Sequence, residues 1–130
     1  MALPDLLKLR EIKYGERVGA QERSRHAATL AARGFTVEAL DLYLLAGDEG
    51  GIAGFRTLAS KQGRPLLLSM LARTGRTVTA AEWAACGEAC VAAERWREAY
   101  RSFVAAGDEA AVAKVREKIP DFEPYTPVGK

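Results

Sequence analysis

Glu38-Ala-Leu-Asp-Leu-Tyr-Leu-Leu-Ala-Gly-Asp-Glu49 returns sixty residues later as Glu98-Ala-Tyr-Arg-Ser-Phe-Val-Ala-Ala-Gly-Asp-Glu109. Glu, Ala, an aromatic and Ala-Gly-Asp-Glu recur in register, and the likeness runs on to Ile52 against Val112. A recurrence at fixed spacing is the mark of one structural unit used more than once. Val37, Leu40, Tyr43 and Leu44 fall at helical spacing, so the first copy reads as an amphipathic helix from Thr36 to Ala46. Gly47 and Gly107 stop the two helices, and Asp48 and Asp108 are placed to cap the next ones.

Working outward, Ala20 to Arg33 is an Ala-rich helix with Ala27, Leu30 and Ala31 on its inner face and Gly34 at its end. Before it, Leu3 to Ile12 carries an apolar stripe (Leu3, Leu6, Leu7, Leu9, Ile12), with Pro4 where a first helical turn tolerates it. Between the copies, a helix from Glu49 to about Lys61 is weakened by Gly50, Gly51 and Gly54, each by ~1 kcal/mol relative to Ala. Pro65 opens Leu66 to Ala72, apolar on almost all sides, which predicts cover on more than one face. Thr79 with Glu82 is a capping box that starts a helix to Glu94. Trp96 to Ala106 and a last helix to about Lys118 follow, and Pro120, Pro124 and Pro127 make 120–130 an extended tail. No segment alternates with period two. The expectation is an all-α chain of about eight helices whose short loops force neighbours antiparallel, forming a single domain over 1–119.

The chain has 130 residues and a net charge of +2, which gives no whole-molecule case for nucleic acid or membrane. The charge is uneven: no acid falls between Glu49 and Glu82, whereas Arg56, Lys61, Arg64, Arg73 and Arg76 all do. No apolar run approaches the roughly 20 residues of a membrane span. The first residues lack a basic segment followed by a long apolar core, so no secretory signal is read there. Two cysteines one helical turn apart are not a disulfide framework, and a reducing cytoplasm is the expected setting.

Trp83-x-x-Cys86-Gly-x-x-Cys90, followed by Ala99, Phe103 and Ala106, resembles the tetratricopeptide pattern of W-x2-L-G-x2-Y and then Ala, Phe and Ala. In that register, one repeat spans 80–113 and the first copy 20–53, where Ala27, Leu30, Ala39, Tyr43 and Ala46 fit. Arg23 and His26 stand where the family prefers Trp and Leu, and Gly51 and Ala111 stand at its late proline. A shorter, degenerate pair covers about 49–78. The Leu-Tyr-x-x-Ala-Gly-Asp run is also similar to helical solenoids of vesicle-coat or ciliary-transport type. The resemblance implies a TPR-like α-solenoid, a right-handed superhelix of about three antiparallel helix pairs with an N-terminal helix, a C-terminal capping helix and a tail. It further implies a peptide groove lined by Ser24, Arg25 and Ala28 in the first unit and by Ala84, Ala85, Glu88 and Val91 in the third, with Arg56 for the second. The family's carboxylate clamp uses Lys and Asn residues, and this chain contains no asparagine. A small, apolar lining suits a helix or apolar segment laid in the groove.

Reactive residues are sparse. Cys86, Cys90 and the single His26 do not supply the four matched ligands of a zinc site, and they occupy packing positions of the repeat. No nucleophile–base set can be assembled around His26. Gly47-Asp-Glu-Gly-Gly51 lacks the Lys-Ser/Thr of a phosphate loop. Lys61, Arg64, Arg73 and Arg76 form a basic edge, without the interleaved aromatics that stacking on nucleic acid needs. Phe122 and Tyr125 in the tail are placed either to cover the last helix pair or to meet another protein. The expectation is a non-catalytic adaptor or scaffold for a protein or peptide partner, with no cofactor and no metal. The alternatives are an assembly subunit of a larger complex or homo-oligomer, and anion or nucleic-acid binding through the basic edge.

Overall fold

The computed structural model describes residues 19–122; the helix expected over Leu3–Ile12 and the tail residue Tyr125 lie outside the described residues. Every regular element among them is helical: α1 (Ala20–Ala32), α2 (Thr36–Ala46), α3 (Glu49–Gln62), α4 (Pro65–Arg73), α5 (Ala80–Ala92), α6 (Trp96–Ala106) and α7 (Glu109–Arg116). No strand occurs among the described residues. The chain divides into two compact units, and the boundary at Thr57/Leu58 falls inside α3.

The sixty-residue recurrence holds at the level of the backbone. Helices α1 and α5 each have 13 residues, α2 and α6 each have 11, and each pair starts sixty positions apart. The turn after α1 is closed by Phe35 N–H on Leu30 C=O (2.9 Å), and the turn after α5 by Arg95 N–H on Cys90 C=O (2.9 Å). Both turns pass through a left-handed residue, Gly34 at φ +84° in the first and Glu94 at φ +58° in the second. Gly47 and Gly107 are left-handed C-caps. Asp48 Oδ1 then accepts from Gly51 N–H at 3.0 Å, and Asp108 Oδ1 from Ala111 N–H at 3.1 Å.

In the first unit, Ala27 and Leu30 of α1 and Ala39, Leu40 and Leu42 of α2 are buried. Ala at 27 and 39 lets the two helix backbones approach closely. That close seam rotates α2, so Val37, expected on its inner face, is exposed, while Tyr43 and Leu44 are half-buried. Ile52 and Phe55 of α3 complete this core, with the Phe55 ring 5.9 Å from that of Tyr43.

In the second unit, Leu67, Leu68 and Leu71 of α4 are buried, but Leu66 is 53% exposed. The cover expected on several faces of α4 is therefore one broad stripe, and the side bearing Leu66 is open. The turn before α4 is anchored from afar: Arg95 donates to Gly63 C=O (2.6 Å) and Gln62 C=O (2.5 Å), and Cys90 Sγ donates to Gly63 C=O (3.3 Å). A Cβ on Gly63 would lie 2.8 Å from Cys90 N and Sγ, so the docked turn has room only for hydrogen. Helix α5 opens on the expected capping box, with Glu82 N–H on Thr79 Oγ1 (3.1 Å) and Thr79 N–H on Glu82 Oε1 (3.0 Å). Helix α7 ends at Arg116, two residues before the expected Lys118.

Candidate functional site

One position decides how each copy packs, and it is where a methyl group is missing. In the first copy the Tyr43 ring lies over Gly51 of α3, so close that a Cβ there would sit 2.4 Å from the ring. In the second copy the Phe103 ring lies over Gly87 of α5, where a Cβ would sit 2.8 Å away. The residues sixty positions from these glycines are Ala111 and Ala27. Each ring thus leans on whichever neighbouring helix offers glycine: forward onto α3 in the first copy, backward onto α5 in the second.

Beside Phe103 in the second unit is an apolar hollow of about 350 Å³, walled by Val91, Trp96, Phe103, Ala111 and Val115. Glu88, Lys114 and Lys118 stand at its rim, with Lys118 Nζ 5.9 Å from the Trp96 ring centroid. Of the residues expected to line a groove, Glu88 and Val91 meet here, whereas Ala84 and Ala85 are not among its lining residues. Nothing here presents a nucleophile with a base; the hollow is suited to holding an apolar side chain.

A second hollow of the same unit, about 760 Å³, gathers Arg64, Arg95 and Arg101 with Glu98. Leu66 and Trp83 form part of its apolar wall. Glu98 Oε2 accepts from Arg95 at 2.7 Å, so this carboxylate is already engaged by one of the three guanidiniums. Arg64 is the residue of the expected basic edge that enters this hollow. Lys61 and Arg73 are exposed, and Arg76 donates to Thr74 Oγ1 at 3.0 Å.

In the first unit, Ser24 and Arg25 line a hollow of about 660 Å³ with Gln21, Ala46 and Asp48. The Gly51 N–H, then the Ser24 hydroxyl, hold the Asp48 carboxyl below its ordinary value near 3.8. Burial, and then the Asp48 charge, raise the Tyr43 phenol. Ala28 is exposed on α1 and Arg56 half-buried on α3.

The segment after α7 turns back. Phe122 packs edge-on against Tyr100 (5.4 Å, 78°), Arg97 lies over the Phe122 ring at 5.5 Å, and Arg116 donates to the Phe122 carbonyl. Phe122 is thereby engaged within its own unit.

Cys86 and Cys90 are free thiols with no exposed surface. Cys86 is lowered to about 7, first by its pairing with Cys90 and also by Ser102 Oγ at 3.5 Å. Cys90 is raised, by that same pairing and by burial. Both thiols are packed inside the second unit. His26 Nε2 lies 3.8 Å from Glu22 of its own helix. Among the described residues, no three of His, Cys, Asp and Glu are grouped so as to hold a metal ion, and no helix is long and apolar enough to cross a membrane.

Sequence reasoning missed Trp96, Lys114, Lys118, Arg95 and Arg101. The signal was in the copies themselves: these residues replace Thr36, Gly54, Leu58, Phe35 and Asp41, each a change of size or charge across the sixty-residue register. Compared with known proteins, the chain matches no family model, no curated protein and no solved structure.

Proposed function

We propose that the chain is a TPR-like α-solenoid, a right-handed superhelix of helix pairs serving as a non-catalytic adaptor that holds a segment of a partner protein. The duplicated hairpins, in register from Ala20 to Glu109, support the repeat reading. The observation that carries the function is the open apolar hollow of the second unit, with Val91 in its wall and Glu88 at its rim. Apolar surface left open in a concave site is stabilised by burial against a ligand. Two free, buried cysteines accord with a cytoplasmic setting.

The test is capture of partners by the full chain from its native extract, compared with Val91→Arg. Val91 is half-buried at the hollow, and a guanidinium there blocks entry while its stem reaches solvent. Partners lost with Val91→Arg, at unchanged circular dichroism, support the reading; partners retained at equal yield overturn it.

A second reading has its own observation. The arginine hollow gathers three guanidiniums against the one carboxylate of Glu98, a local positive excess that favours an anionic ligand there. One indole without a second aromatic gives no platform for successive bases, so an acidic protein surface fits better than a nucleic-acid strand. Arg101→Glu, on an exposed residue, would weaken such binding and its salt dependence together.

A further inference from the structure

We propose that the apolar hollow beside Phe103, which no ring of the described residues fills, is a ring seat, and that its ligand is a partner segment bearing an aromatic side chain flanked by carboxylates. This rests on the partner-binding reading above and names the partner's chemistry. The molecule contains its own template for the seat. Sixty residues before Val115 stands Phe55, a buried phenyl group packed at 5.9 Å against the Tyr43 ring. In the second copy the same helical position carries only an isopropyl group. The ring of α6 has also moved away: Phe103 leans back over Gly87, because Ala111 replaces the glycine that let Tyr43 lean forward. Two substitutions, glycine to alanine at the position of Ala111 and phenylalanine to valine at that of Val115, thus vacate the room of a ring on the side of α7. What lines the resulting space is apolar, including the Trp96 indole where the first copy has threonine.

The rim specifies the neighbours of that ring. Lys114 and Lys118 replace Gly54 and Leu58, so both cations are additions of this copy, against the single carboxylate of Glu88. Lys118 already lies over the outer face of Trp96. A phenyl ring entering the seat carries its adjacent residues past these two ammonium groups, and carboxylates there gain charge-assisted hydrogen bonds. The ring itself supplies apolar burial and edge or offset contacts with Phe103 and Trp96.

The test uses blocked heptapeptides, acetyl-Ala-Asp-Glu-Phe-Asp-Glu-Ala-amide and two relatives, one with Ala for Phe and one with Lys for every acid. Binding to the full chain is followed by amide chemical shifts. The expected result is shifts confined to the neighbourhood of Val91, Trp96, Phe103 and Val115, with affinity at least tenfold weaker for either relative. Val115→Phe fills the seat with the chain's own ring and is expected to abolish these shifts while the remaining spectrum stays folded. Should that variant fail to fold, Lys114→Glu/Lys118→Glu, on two exposed residues, is expected to weaken binding of the acidic peptide at least tenfold. Unchanged affinity in Val115→Phe or in the double reversal overturns the proposal. Equal binding of a neutral leucine-bearing peptide overturns the chemistry assigned while leaving the partner-binding reading intact. No shifts at the hollow with any peptide overturn the seat altogether. A dimer that Val115→Phe converts to monomer assigns the seat to a second copy of the chain, which also overturns the proposal.

Discussion

Glu94 is the one non-glycine residue with positive φ among those described, and it occupies the turn position that Gly34 holds in the first copy. A left-handed conformation costs an L-residue roughly 1–2 kcal/mol, part of which glycine gives back through its greater freedom when unfolded. Glu94→Gly is therefore expected to stabilise the chain by about 0.5–1 kcal/mol, read as a higher urea midpoint at unchanged slope. The reverse change, Gly34→Glu, is expected to destabilise it by a similar amount. At Gly51 and Gly87 the issue is space: a methyl group would drive into an aromatic ring, and overpacking of this kind costs typically ~1–3 kcal/mol. Gly87→Ala should be the harsher, since Phe103 is buried and Tyr43 only half so.

Elements are set by their ends. Thr79→Ala removes the hydroxyl that accepts from Glu82 N–H, leaving the Thr79 N–H bond to Glu82 in place, and is expected to cost about 1 kcal/mol, with hydrogen exchange rising first in the opening turn of α5. The start of α3 depends on ionised Asp48. Its folded-state pKa is lowered, so the contribution is complete above the ordinary value near 3.8 and is lost as pH falls through that value and below. Chemical shifts of the Gly51 amide followed from pH 6 to pH 2 are expected to report this loss, and Asp48→Asn to flatten the profile. These ends explain what was legible in the sequence. Glycine, threonine, aspartate and proline act on their own backbone, so the starts of α2, α5 and α6 were read to the residue. The inner face of α2 was not, because whether Val37 or Ala39 turns inward depends on how closely α1 approaches. The hollows were less legible still, since each needs side chains from more than one helix. Matching the chain to an outside repeat pattern selected Glu88 and Val91 but passed over Lys114 and Arg101, which such a pattern leaves free to vary.

Across the whole molecule, two units carry two cores. Leu30, Leu40 and Leu42 belong to the first, and Leu67, Leu68 and Leu71 to the second. A large buried side chain cut to alanine costs ~2–5 kcal/mol, depending on how far its site relaxes. With separate cores, such a loss is expected to be felt first by the unit that suffers it. Leu42→Ala is expected to raise amide exchange across α1 and α2 before it affects α6, and Leu68→Ala to do the opposite. Equal deprotection of both sets in either variant would show a single cooperative block instead. The two glycine–ring contacts then have a consequence for how such a chain diverges. Exchanging alanine and glycine between positions 87 and 111 moves a single carbon atom from one seam to the other, leaving composition and charge untouched. That exchange should swing Phe103 forward as Tyr43 swings, so a repeated hairpin can acquire or erase a cavity at constant composition and charge.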